Sequence, residues 1–183
     1  MVFARTLVTL SSLDTGLNAH NVVTARVALS PTVLATPDRI RAAWQDVIDR
    51  AGRMPGVEAA ALTDIIPMRV GDNALPYSTT PVLRAANDAP VALASTVTPD
   101  YLAVMGIPLR AGRFFDEHDR SDAEQVLVVD ETLALQAFGR RDVVGAHLWI
   151  PAMGPAPLTI VGVVGHVRHW GLAADDRSRV RAQ

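Results

Sequence analysis

The stretch Glu124-Gln125-Val126-Leu127-Val128-Val129-Asp130-Glu131-Thr132-Leu133-Ala134-Leu135-Gln136-Ala137-Phe138 decides the fold class. Its first half is a short continuous apolar run, the pattern of a strand covered on both faces. Asp130 then supplies a side-chain oxygen suited to the free amides of a first helical turn. Leu133, Ala134, Ala137 and Phe138 recur at three- and four-residue spacing, one face of a helix. A buried strand running straight into a capped helix implies a mixed α/β or α+β chain. Downstream, Ala146–Ile150 and Leu158–Val164 read as an antiparallel pair joined by a Pro/Gly-rich loop. Upstream, Val91–Val97 alternates as a strand. Thr98-Pro99-Asp100 reads as a helix start, with Thr98 as cap and Pro99 in the first turn, and Tyr101, Leu102 and Met105 follow. Gly106 ends that short helix, and Phe114 and Phe115 anchor the next loop.

Further toward the N-terminus a second αβ pattern stands. Val23, Ala25, Val27 and Leu29 share one face of a period-two segment. Thr36-Pro37-Asp38 gives a cap, a proline at the first helical position and an acid in the first turn. The helix that follows carries Ile40, Ala43, Trp44, Val47, Ile48 and Ala51 on one face, with Asp46 and Arg50 spaced for an ion pair. Val57–Thr63 is predicted as the returning strand, which makes a β-α-β unit with Trp44 buried against it. Ile66–Asn87 lacks periodicity and reads as a long connection. At the start of the chain, Phe3, Leu7, Leu10 and Leu13 form a helical stripe, either a docking helix or the end of a longer one. Asp175–Gln183 is charged and expected to fray.

Seventeen basic and nineteen acidic side chains among 183 residues give a net charge of −2, without the basic excess of a nucleic-acid footprint. The absence of cysteine excludes disulfides, thiolate metal sites and cysteine nucleophiles. No run of 18 apolar residues is present that would span a bilayer by itself.

Candidate chemistry is sparse. His166 and His169 stand three apart just past a strand, a spacing that brings two imidazoles together only on a helix. Asp116, Glu117, Asp119, Asp122 and Glu124 crowd around His118, but Arg120 sits inside the run and the glycine of a calcium loop is missing. Gly162-Val163-Val164-Gly165 follows an apolar strand without the spacing, lysine or following helix of a phosphate loop. No Gly-x-Ser-x-Gly elbow occurs. No catalytic, cofactor-binding or metal residue is therefore assigned, and no cofactor is expected.

Seven ordered motifs carry a resemblance. They are Leu13-Asp14-Thr15-Gly16-Leu17-Asn18, Asn21-Val22-Val23-Thr24-Ala25-Arg26, Met54-Pro55-Gly56-Val57-Glu58-Ala59-Ala60 and Val97-Thr98-Pro99-Asp100-Tyr101-Leu102. Met105-Gly106-Ile107-Pro108-Leu109-Arg110-Ala111-Gly112-Arg113-Phe114-Phe115, Val128-Val129-Asp130-Glu131-Thr132-Leu133-Ala134 and Leu158-Thr159-Ile160-Val161-Gly162-Val163-Val164-Gly165-His166-Val167-Arg168 complete the set. In this order, from about Leu10 to Leu172, they resemble the periplasmic core domain of MacB-like ABC transporter permeases, in the acidobacterial-type version with FtsX-like membrane segments.

The resemblance implies a domain hung between the first two membrane helices, with a Porter-like part made of β-α-β units and an inserted Sabre-like part. Residues 1–20 would be the periplasmic end of the first membrane helix and 21–87 the first Porter-like unit, centred on Val22–Asp64, with its connector. Residues 88–172 would be the Sabre-like subdomain, centred on Val91–Val167, and 173–183 a frayed tail, the second Porter-like half being absent.

The role implied is that of a periplasmic domain of an inner-membrane protein, without enzyme activity, passing ATP-driven membrane motion on to export or signalling. The implied partners are a cytoplasmic ABC ATPase, reached through the membrane segments, and a periplasmic adaptor or second permease subunit, with no nucleic acid. Two alternatives stand beside it: a metal-dependent hydrolase using His166, His169 and the 116–124 acids, and a free-standing protein-binding module acting through a sheet edge.

Overall fold

A computed structural model describes residues 15–18, 20–32, 36–67, 73–82, 88–116, 118–119, 124–167 and 179–182. The stripe of Phe3, Leu7, Leu10 and Leu13, and the side chains of Glu117, Asp122 and His169, lie outside these residues. The elements in chain order are α1 (Pro37–Gly52), β1 (Ala74–Pro76), β2 (Val91–Thr96), α2 (Tyr101–Met105), β3 (Leu109–Gly112), β4 (Val126–Asp130), α3 (Glu131–Phe138), β5 (His147–Leu148), a 3₁₀ turn (Pro151–Met153), β6 (Leu158–Val164) and β7 (Arg179–Ala182).

All the strands join one mixed seven-stranded sheet in the order β1-β2-β7-β4-β6-β3, with β5 also pairing with β6. β4 and β6 run parallel, with α3 between them in sequence, so the β-α-β unit of this chain spans 126–164. The expected antiparallel pair is present as β5 on β6, with His147 opposite Thr159 and Leu148 opposite Leu158. A bulge shifts the register between Leu127 and Val128, so Leu127 faces Ile160 while Val128 faces Gly162. The extra residue, Val161, reverses the alternation along β6. Leu158 and Ile160 before the bulge, and Val163 after it, therefore reach the same core.

That core lies on the α3 side, where Leu127, Val129, Leu133, Ala134, Val143, Leu148 and Ile150 are packed with Tyr77 and Ala92. The opposite face carries a second core of Val97, Tyr101, Leu102, Met105, Ile107, Phe115, Val128, Val164 and Val167. Leu127 and Val129 on one side and Val128 on the other confirm that β4 is covered on both faces. Asp130 caps α3 as expected, its Oδ1 accepting from the Leu133 amide at 2.7 Å. Gly106 ends α2 in the left-handed region at φ +62°.

Four expectations are corrected. The segments 22–29 and 57–62 form no strand; in this region Thr63 alone bridges to Val97, so the predicted first β-α-β unit is a lone helix between extended segments. Alternation marks a face, but a strand needs a pairing partner, and Val23 is 92% exposed. Trp44 is accordingly half-buried, and α1 contains no fully buried residue.

Thr98 is not a helix cap. Its hydroxyl accepts from the Leu62 amide at 2.9 Å, and α2 begins after Asp100, which makes no side-chain cap bond. The tail does not fray throughout: Arg179–Ala182 lies between β2, to which it is parallel, and β4, to which it is antiparallel. Backbone pairing on both sides, rather than apolar side chains, makes it a strand.

Candidate functional site

Three glycines, Gly16, Gly106 and Gly165, meet in space where the N-terminal segment reaches the sheet. Gly16 is left-handed at φ +73°, and a Cβ there would lie 1.8 Å from the His166 carbonyl oxygen. Only glycine permits that approach. Two residues on, the Asn18 amide donates to the Met105 carbonyl at 2.8 Å, and a Cβ on Gly106 would fall 2.7 Å from the Asn18 Cβ. The Gly165 amide donates to the Pro108 carbonyl at 2.8 Å, fixing the end of β6 against the loop before β3. Leu17 and Val22 pack on the core that holds Tyr101 and Val167. Residues 15–18, the end of α2 and residues 165–167 thus form one joint.

A buried polar pair lies beneath it. His166 Nδ1 lies 2.6 Å from Asp130 Oδ2, and the Asp130 side chain is fully buried while that of His166 is 23% exposed. One carboxylate thereby holds both the first turn of α3 and the residue that follows β6. The other ring nitrogen, Nε2, is buried and has no hydrogen-bond partner among the described residues. This pair was not foreseen from the sequence, because its members are 36 residues apart and Asp130 already had a role as a cap. The usable signal was the shared end of two adjacent parallel strands, which places residue 130 beside the residues just after 164.

Two carboxylates of the acidic stretch, Asp116 and Asp119, gather on an arginine. Arg113 grips Asp119 with both terminal nitrogens, at 2.6 and 2.7 Å, and Asp119 also accepts from the Asp116 amide at 3.0 Å. The Arg113 hydrogen bonds, despite opposing desolvation, hold the Asp119 carboxyl below its ordinary value. Asp116 is also lowered, chiefly by the His118 backbone amide that it accepts. Asp119 is buried, and Phe115 beside it sits in the core, with the Phe114 and Phe115 rings 4.7 Å apart. This arrangement ties Asp116 and Asp119 to the end of β3 through Arg113.

The described sequence candidates therefore do not converge. His166 faces Asp130 rather than the described acids Asp116, Asp119 and Glu124. Among the described residues no group of three or more His, Asp or Glu side chains could hold a metal ion. A Cβ at Gly162 would fall 2.1 Å from the Arg113 carbonyl, and one at Gly165 would fall 2.9 Å from the Pro108 ring. Both glycines thus accommodate neighbouring chain, leaving no cradle for a phosphate. No described helix is long and apolar enough to cross a membrane.

Comparison with known proteins points to one family. The model of the MacB-like periplasmic core domain family matches residues 8–180. The macrolide export ATP-binding/permease protein MacB of Shewanella sp. (strain W3-18-1) is 33% identical over 97 residues, 49% of this chain and 14% of that protein. Its counterpart in Vibrio parahaemolyticus is 28% identical over 115 residues, 62% of this chain and 17% of that protein. The chain thus matches less than a fifth of the length of either relative. Among solved structures, the periplasmic region of MacB from Actinobacillus actinomycetemcomitans superposes with a TM-score of 0.51 at 16% identity, covering 75% of this chain and 53% of that one. That likeness is one of fold.

Proposed function

Because the chain belongs to the MacB-like periplasmic core domains of ABC transporter permeases, we propose that it couples ATP-driven movement of membrane helices to export or signalling outside the cytoplasm, with no chemistry of its own. The observation that supports this most is the joint at Gly16. The segment arriving from the N-terminal side is seated by close backbone approach on the ends of α2 and β6. A displacement of that segment is transmitted to packed elements that deform little, as shear or hinge motion requires. Residues 21–87 act as the Porter-like part with its connector and residues 88–172 as the Sabre-like part, whose sheet also takes in Ala74–Pro76 from the connector and residues 179–182. The driving partner is a cytoplasmic ABC ATPase acting through the permease's membrane segments, in the inner membrane, and a periplasmic adaptor or second permease subunit receives the motion.

The test uses the whole permease with its ATPase in proteoliposomes. Replacing residues 21–167 by a short flexible linker should leave ATP hydrolysis by the ATPase in place and abolish ATP-dependent transport. Macrolide export, the activity named for the relatives, provides the first substrate to assay. Transport that survives the replacement would refute the coupling role.

A further inference from the structure

We propose that residues 23–60 turn as one lobe against the sheet, on a hinge formed by the short pairing of Leu62–Asp64 with Thr96–Thr98, and that the Asp64 and Thr98 side chains set its stiffness. Among the described residues, every hydrogen bond and ion pair made between Val23 and Ala60 has its partner inside that span. No described residue of the span is buried, and neither core takes a residue from it. The residues that flank the lobe are the ones that pack. Val22 before it and Ala61 after it both lie on the second core. A body held at its two ends can turn about the line joining them and leave both attachments in place, the geometry of a hinge.

The pairing at the second attachment differs from the ladders of the sheet. In an antiparallel ladder each hydrogen-bonded pair of residues exchanges two main-chain bonds. Here the Thr98 amide donates to the Leu62 carbonyl at 3.1 Å, but the Leu62 amide donates to the Thr98 hydroxyl at 2.9 Å. The Thr98 carbonyl instead accepts from the Tyr101 amide at 3.0 Å, where α2 begins. In the next pair the Asp64 amide donates to the Thr96 carbonyl at 3.2 Å, while the Thr96 amide donates to the Asp64 carboxylate at 3.0 Å. Thr63, opposite Val97 between the two pairs, donates its hydroxyl to the Ile65 carbonyl at 2.8 Å. Each pair thus keeps one main-chain bond and closes the other through a side chain, which a change of rotamer releases. This joint opens more readily than β4, which is paired on both edges by β6 and β7 and fully buried at Leu127, Val128 and Val129. At the first attachment the chain passes through Asn21, at φ 61° the one non-glycine residue in the left-handed region among those described. Asparagine tolerates that region better than most residues.

The hinge deepens the coupling reading by saying where the domain yields, and it is tested on this chain without membrane or nucleotide. A stiff joint would overturn the hinge and leave coupling to the transport assay, and loss of coupling would leave the hinge standing. The chain has no cysteine, so pairs of introduced cysteines take spin labels at those positions alone. Ala42→Cys on α1 with Arg140→Cys just past α3, both exposed, reports the lobe against the sheet. Val23→Cys with Ala42→Cys reports the inside of the lobe. Thr98→Val and Asp64→Ala each remove one side-chain bond of the hinge. Each should widen the 42–140 distance distribution about twofold and leave the 23–42 distribution at its width. Thr98→Ser and Asp64→Asn keep the accepting oxygen, and their distributions should match those of the parent chain. An unchanged 42–140 distribution in either removing variant, equal widening inside the lobe, or equal widening in Thr98→Ser and Asp64→Asn would each overturn the hinge. Where Thr98→Val and Asp64→Ala do not fold, amide nitrogen relaxation of the parent chain decides. The hinge predicts that α1 and the sheet tumble with different correlation times, and a single rigid tumbling for both would overturn it.

Discussion

Helices α1 and α3 begin in the same way and end in different surroundings. Thr36 caps α1 by accepting from the Arg39 amide, and Asp130 caps α3 by accepting from the Leu133 amide. α1 is twice as long, 16 residues against 8, and carries the ion pair between Arg50 and Asp46 at 2.9 Å. Yet α1 buries no residue completely, whereas α3 buries Leu133 and Ala134. Local signals suffice to start and stop a helix, but its stability within a domain comes from the surface that it covers. α3 lies over a sheet between two strands of that sheet, and its cap reaches across to His166. α1 lies between segments that do not pair, with Val23, Val27, Met54 and Val57 exposed beside it. An α1 region this open differs sharply from the closed sheet region, and substitutions should report that difference.

The largest effect is expected at Leu133→Ala, which opens a cavity under α3 in the core and should cost about 2–5 kcal/mol in denaturant unfolding. A loss below about 1 kcal/mol would show that α3 is not held by its core. Next comes Asp119→Asn, which breaks the two-pronged Arg113 grip and should cost about 1.5 kcal/mol at neutral pH, reduced by the partial exposure of Arg113. The Asp119 carboxyl is lowered in the folded chain, so the contribution of the pair is present above the unfolded value of about 3.9 and disappears as pH falls through the lower folded value. Stability curves of the two proteins should run parallel from neutrality to about pH 5 and converge below about pH 4. A gap that widens on acidification would contradict the sign.

Trp44→Ala should cost about 1 kcal/mol, well short of the 3–5 kcal/mol expected for a fully buried aromatic, because the ring is only half-buried. Thermal unfolding of this variant measures directly how open the α1 region is. The smallest effect belongs to Thr36→Ala. Its cap bond is long, 3.4 Å, and exposed, so about 0.5 kcal/mol is expected, read as faster amide exchange in the first turn of α1 with the sheet unaffected.

How much of this was legible in the sequence follows the same divide. The apolar run at 126–129, the Asp130 cap, the short helix and the β5–β6 pair were readable, because each is decided by neighbours along the chain or by burial on both faces. The strands expected at 23–29 and 57–63 were not secure, because period-two alternation says nothing about a partner. The opposite error occurred at 179–182, where four residues without an apolar run become a strand by lying between β2 and β4. Ala74–Pro76 was hidden in an aperiodic connection, since an edge strand carrying proline needs pairing on one side only. Thr98 shows the limit of capping rules: the hydroxyl that suits a cap was drawn to the Leu62 amide, 36 residues away. At the joint, Gly106 was visible as a helix stop, while close approach became apparent only when Gly16 and Gly106 were seen against His166 and Asn18. The ordered family motifs had already gathered these residues into one pattern before the fold explained why.

The central claim, that this domain transmits membrane motion, is tested most directly by a distance between its two regions in the working permease. Spin labels at Val23 in the α1 region and at Arg140 just past α3, both exposed, leave the packing untouched. Electron-resonance distance distributions would be recorded in proteoliposomes with and without ATP trapped on the partner ATPase. The coupling account predicts a distribution that shifts when ATP is trapped and returns when nucleotide is removed. Identical distributions in the two states, in a permease shown to transport, would contradict it.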